Sequence, residues 1–156
     1  MKNNFFKKRI SIEQVEEGEE LAPKFDENGL IPVVTTSVRT KKVLMLGYMN
    51  KEAFTKSLET MEAHYYSRSR EIIWHKGATS GLVQKIINFY IDDDQDSVWI
   101  DVEIAGKEAS CHVGYESCFY RKVDIDGSES KLEFTEKEKV FDPLEVYGDV
   151  PNPTKL

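Results

Sequence analysis

Four carboxylates crowd into five positions of the stretch IDDDQDSVW: Asp92, Asp93, Asp94 and Asp96. Packed so closely they repel one another, so the stretch calls for a cation, or else for a solvated strand-end turn, where Asp is common anyway. If the chain stays extended beyond the apolar run IINFYI, its side chains alternate between faces with a period of two. Asp92, Asp94 and Asp96 then share one face and Asp93 takes the other. Three converging carboxylates suit a hard cation such as Mg²⁺, which takes oxygen ligands and keeps waters for a substrate phosphate. An EF-hand loop is excluded. Counting from Asp92 puts Glu103 where such a loop ends, but the glycine its sharp turn needs is replaced by Ser97. The residues that follow, VWIDVEI, alternate like a strand.

Two more groups of residues carry chemistry. In SCHVGYESCFYR, Cys111 and Cys118 lie seven residues apart with His112 beside the first. Two thiolates can begin a zinc site but not complete one, since even an open catalytic site uses three protein ligands. Two buried free cysteines would look the same. Both cysteines and all three histidines (His64, His75, His112) nevertheless fall between residues 64 and 118, around the aspartates. That gathering favours a metal-dependent site. The third group, YYSRSREIIWHKGATSG, sets Arg68, Arg70 and Lys76 among Ser67, Ser69, Thr79 and Ser80 in an otherwise acidic chain. Guanidinium forks and hydroxyls suit phosphate oxygens, Gly77 and Gly81 let backbone approach a ligand, and Trp74 offers a face to a base. A charged hairpin with a glycine turn is the plainer alternative. Together the three groups describe an enzyme acting on a nucleotide-like substrate.

The elements that must position these residues follow from the pattern. The 156 residues suit one domain with a core of its own. A net charge of -7 argues against non-specific binding to nucleic acid or to an anionic membrane. No apolar run approaches a spanning helix. The start, MKNNFFKKRI, is basic without an apolar stretch, so no export signal is expected, and two free thiols in a reducing cytoplasm are the expectation. SIEQ reads as a helix start, and Asn50 caps a short helix, KEAFTKSLETM, with Phe54, Ser57, Leu58 and Met61 on one face. Strands are expected at IPVVTTSVR, KKVLMLGYM, AHYYSR, EIIWHK, VQKIINFYID, SVWIDVEI and SCFYRKV. Many strands and few helices predict an α+β domain built mainly on antiparallel sheet. The tail after about Asp124 is expected to wrap the surface or stay mobile.

In order and spacing, GYMNKEAF, AHYYSRSR, WHKGATSG, the Asp-x-Asp-x-Asp run and CHVGYESCFYR closely resemble the phosphoribosyl-AMP cyclohydrolase family of histidine biosynthesis. The resemblance spans roughly Asp26 to Arg121. It implies a cytoplasmic, intertwined homodimer using Zn²⁺ and Mg²⁺ to hydrolyse the N1–C6 bond of the adenine ring. It divides the chain into an N-terminal segment (1–28), a catalytic domain (29–123) and a C-terminal extension (124–156). By motif position it implies Asp92, Asp94 and Asp96 for Mg²⁺, and Cys111 and Cys118 for zinc. The family's third zinc ligand, a cysteine reaching a site shared between subunits, stands where this chain has Asp93. A carboxylate is a legitimate zinc ligand of the same charge, but a harder one that favours Mn²⁺ or Fe²⁺ more than thiolate does. His112 is then the candidate general base, and His75 an assistant. Arg68, Arg70, Trp74, Lys76 and Ser80 are candidate substrate contacts. A diverged relative acting on another purine nucleotide, or a metal-binding module without activity, would keep much of this pattern.

Overall fold

The computed structural model describes residues 4–106, 109–125 and 131–156. Its elements are α1 (Ile12–Glu17), β1 (Ile31–Ser37), β2 (Val43–Met49), α2 (Lys51–Thr60), β3 (His64–Ser67) and β4 (Ile72–His75). They continue with β5 (Gln84–Ile91), β6 (Val98–Ile104), β7 (Arg121–Val123), β8 (Leu132–Phe134) and α3 (Pro143–Tyr147). The architecture is α+β, with a four-stranded sheet in the order β2-β1-β6-β5 and two small antiparallel pairs, β3-β4 and β7-β8.

Local chemistry explains the elements. Along β1, alternate residues from Ile31 to Ser37 are buried, the period of a strand with one face on the core. The central strand β6 is buried at Val98, Ile100, Asp101, Val102 and Ile104, as befits a strand with a neighbour on each side. At the start of α1 the Ser11 hydroxyl accepts from the Gln14 amide at 3.0 Å. At the start of α2, Asn50 Oδ1 accepts from the Ala53 amide at 2.8 Å. That helix ends where Met61 turns left-handed at φ 56°. Its apolar face buries Phe54 against Phe6 and Phe89, each with ring centroids 5.0 Å away. Burial of such a ring contributes about 2–3 kcal/mol.

Two features add detail to these expectations. Within the mainly antiparallel sheet, β1 and β6 pair in parallel, Val33 opposite Val98 through Ser37 opposite Val102. A parallel neighbour needs a long crossover, and the excursion through α2 and β3 to β5 supplies it. The tail is also structured. β8 pairs with β7, and α3 follows, capped by Asp142; residues 126–130 of the extension lie outside the described residues. No helix among the described residues is long and apolar enough to cross a membrane.

Candidate active site

The loop between β6 and β7 doubles back on itself. The Ser110 amide donates to the Glu116 carbonyl (2.8 Å), the Cys111 amide to the Tyr115 carbonyl (3.2 Å), and the Gly114 amide to the Cys111 carbonyl (2.9 Å). Gly114 makes the turn at φ 108°, where a side chain would be strained and its Cβ would collide with the Phe141 carbonyl. The far arm is fastened to β2, an edge strand of the sheet. There the Cys118 amide donates to the Leu44 carbonyl and the Ser117 hydroxyl to the Val43 carbonyl, both at 2.7 Å. This fold-back brings the Cys111 and Cys118 thiols into hydrogen-bonding contact. That contact, helped by the Lys76 ammonium, pulls Cys111 down to about 6; the same contact, with burial, pushes Cys118 up against the pull of Lys76. The pair thus carries one negative charge readily and a second only with difficulty.

Lys76 is buried, and its Nζ donates to the Ser110 carbonyl at 2.7 Å, 4.8 Å from the Trp74 ring centroid. Burial lowers its proton affinity while the two thiols raise it. A buried ammonium demands such partners. Gly77, next in sequence, is buried too, and the backbone its missing Cβ leaves room for is the chain's own Leu82–Val83.

Beside the thiols opens a cleft of about 590 Å³, within the range of small-molecule sites. Strand alternation on β4 turns Trp74 and Lys76 toward it and His75 away. His75 instead stacks on His64, ring centroids 4.4 Å apart, with Nε2 3.8 Å from the Glu62 carboxylate. Arg68 lies 4.1 Å over the Tyr48 ring and Arg70 6.0 Å over Trp74. Both guanidinium groups line the cleft on an aromatic shelf, with Ser80, His112 and Cys118 also in its wall. Burial, then the charge of Lys76, lowers the proton affinity of His112, and Asn152 opposes both. Its Nε2 is buried without a hydrogen-bond partner among the described residues.

The aspartates lie elsewhere, in the turn joining β5 to β6. The chain is curled there, not extended, so the trio meets for a reason other than strand alternation. Asp92 Oδ1 accepts from the amides of Asp96 (2.9 Å) and Ser97 (3.1 Å), drawing the turn around itself. Oxygens of Asp92, Asp94 and Asp96 fall within 4.8 Å of one another, the one such cluster of three potential ligands among the described residues. Asp93 is exposed and outside it. Burial works against ionisation of Asp92, but the two amides hold its carboxyl below the usual range. Contact with Asp94, ahead of burial, pushes Asp96 up. Carboxylates that compete in this way form a donor set a divalent cation would relieve.

Gln95, the odd residue in the acidic run, clamps the N-terminal segment onto this turn. It sits left-handed at φ 58° and is buried. Its Nε2 donates to the Val15 (2.9 Å) and Glu20 (3.2 Å) carbonyls, and its Oε1 accepts from the Ala22 amide (2.8 Å). Arg9 Nη2 adds a bond to the Asp94 carbonyl at 3.0 Å. An uncharged amide among four acids was a visible signal. Tyr147 and Asn152, which reach the cleft from the tail, gave none beyond the Pro- and Asn-rich punctuation around them.

Known proteins resemble this chain over most of its length. The phosphoribosyl-AMP cyclohydrolase family profile matches residues 45–120, which include both cysteines and the aspartates. A phosphoribosyl-AMP cyclohydrolase of Rhodopseudomonas palustris is 49% identical over 141 residues, 89% of this chain and 92% of that protein. Proteins of the same name from Bradyrhizobium diazoefficiens (48%, covering 86% of this chain and 94% of that one) and Sinorhizobium fredii (41%, 87% and 90%) are similar too.

Proposed function

With these likenesses the chain belongs to the phosphoribosyl-AMP cyclohydrolase family, and from that premise we propose that it opens the adenine ring of phosphoribosyl-AMP at N1–C6 in histidine biosynthesis. One observation carries the reading: a single cleft is lined by a thiol and an imidazole, Cys118 and His112, and by guanidinium groups on aromatic rings, Arg68 and Arg70. The first suits the reacting carbon, the second the phosphates and bases of a doubly phosphorylated nucleotide.

In the reaction, water oxygen bonds to C6 and becomes the carboxamide carbonyl. The N1–C6 bond breaks, N1 keeps the electron pair and takes one of the water's protons, and the other goes to the exocyclic nitrogen, which becomes the carboxamide NH2. Neutral His112, held so by burial, can accept the water proton at its unpartnered Nε2 and return it to N1. Arg68 and Arg70 orient the substrate through its phosphates, and Trp74 stacks on a base. Lys76 points at the thiols and the Ser110 carbonyl, so its charge balances the thiolate pair.

Cys111 and Cys118 fit a zinc ion, whose bound water ionises near neutrality; two adjacent thiols, one of them acidified and with the Lys76 ammonium nearby, support that assignment. No third ligand joins them among the described residues. Asp93, exposed on its turn, is free to reach across a homodimer, so that Asp93 of the partner subunit completes the set. Asp92, Asp94 and Asp96 fit Mg²⁺. The reading is tested by incubating the purified protein with phosphoribosyl-AMP, AMP and adenosine. Absorbance reports ring opening, and elemental analysis of the same sample reports bound metal. Ring opening of phosphoribosyl-AMP alone is expected; activity on another purine nucleotide instead would reassign the substrate.

A further inference from the structure

Beyond residues 45–120 of the family match, the chain returns to the cleft. The Glu136 carboxylate accepts from the amides of Glu116 (3.0 Å) and Ser117 (3.1 Å). The Val140 amide then donates to the Gly114 carbonyl at 2.6 Å, with Phe141 buried beside it. The tail is therefore docked on the very loop that carries the thiols, and the bare Cα of Gly114 is what lets it approach. From this anchor, α3 and the residues to Pro153 run on along the cleft and contribute to its lining. The Tyr147 ring packs edge-on against Phe141, centroids 6.0 Å apart, which directs its hydroxyl to Ser80. The Asn152 side chain reaches the His112 ring, although no aligned hydrogen bond closes on Nε2.

These contacts are hard to explain as packing. Leu144, Val150 and the residues after Asp149 stay exposed, so the segment buries little apolar area. What it brings are polar groups placed beside Ser80, in the loop after β4, and His112, in the loop after β6, both of which line the cleft. We propose that residues 142–153 form part of the substrate site: Tyr147, with Ser80, hydrogen-bonds the bound nucleotide, and Asn152 positions the His112 ring. Tyr147 is a recognition residue, since it touches substrate but no reacting atom. Asn152 is a positioning residue, acting through His112. The proposal rests on the ring-opening reading for its substrate.

Full-length Tyr147→Phe, Asn152→Ala and Asn152→Asp are compared with wild type by steady-state ring opening and by calorimetric titration with AMP. Tyr147→Phe is expected to raise KM about fivefold to tenfold, the worth of one hydrogen bond, with kcat nearly unchanged. Asn152→Ala is expected to lower kcat about tenfold at constant KM, and Asn152→Asp, which keeps an acceptor for the ring, to restore it. If wild type opens the ring and all three variants match it, the strap has no such role, while the function stands. If wild type has no ring-opening activity, the substrate reading fails, and AMP affinity decides the strap alone. Weakening of about fivefold to tenfold in Tyr147→Phe supports recognition, and equal affinity overturns it.

Discussion

The aspartate turn and the longer thiol loop are the two connections flanking β6, yet they are held in opposite ways. The turn organises itself: Asp92 gathers the amides of Asp96 and Ser97, and the carboxylates stay near water. The thiol loop is organised by others, by β2 under Cys118, Lys76 beside the sulfurs, and the tail over Gly114. The difference matches the chemistry each would serve. Hard oxygen ligands for a cation that keeps its waters need only local geometry. Soft ligands whose charge must be sustained away from water need a cation and a frame.

The contrast can be broken first at the loop. Cys118→Ser is expected to release tightly bound metal and lower activity by roughly three orders of magnitude or more, since a hydroxyl is a poor zinc ligand at neutral pH. Elemental analysis and ring-opening kinetics check it, and full activity would mean that the thiols hold no metal the reaction needs. Asp93→Ala should also weaken this metal while sparing the Asp92, Asp94 and Asp96 cluster. At the turn, Asp94→Asn is expected to cost about 10–100-fold in Mg²⁺ affinity, with the fold intact by circular dichroism. An unchanged Mg²⁺ titration would remove the cation from the turn.

Gln95→Ala tests what the turn owes to the rest of the molecule. Three hydrogen bonds disappear, two of them buried and one partly so, and a loss of about 2–3 kcal/mol and a drop in Tm of roughly 5–10 °C are expected. A Tm within a degree of wild type would mean that the N-terminal segment is held by its aromatic contacts. The smallest effect lies outside both regions. Burial lowers the pKa of His64 from 6.5, helped by its neighbour His75. Above 6.5 the ring is neutral folded or unfolded and adds no pH dependence. Below it the unfolded chain takes up a proton that the folded ring resists, so stability falls with pH down to the folded pKa. His64→Gln should flatten denaturant-measured stability as pH falls below about 6.5, whereas a parallel profile would assign that slope to other groups.

Much of this was legible in the residues because local rules governed it. Asn50 and Ser11 cap their helices as their side chains dictate, and the seven expected strands appear, though SCFYRKV keeps only Arg121–Val123. Asp92, Asp94 and Asp96 converge as expected, but through a turn whose hydrogen bonds run to backbone amides that no side-chain pattern reveals. Lys76 read as an open phosphate contact because its burial depends on Ser110, 34 residues away. His75 reads in the sequence as an assistant to His112, and only the pairing of β4 with β3 turns it toward His64. Tyr147 and Asn152 were illegible for the same reason. Their positions rest on the docking of Phe141 against Gly114, a tertiary contact between two unremarkable residues.

The parallel ladder of β1 on β6 has a consequence for how the chain acquires its shape. Each of these strands has an antiparallel partner nearby in sequence, and such hairpins close quickly. Joining β1 to β6 must bridge a much longer stretch, as the Thr36–Asp101 bond spans 65 positions. Loop closure of that length has an entropic cost with little return until the ladder zips, and long-range parallel pairing is slow for that reason. The thiol loop can fasten to β2 only after β6 has delivered it to the sheet. Newly made chains would therefore carry a finished aspartate turn before a finished thiol site, and the reactive sulfurs would be the last groups to find their neighbours.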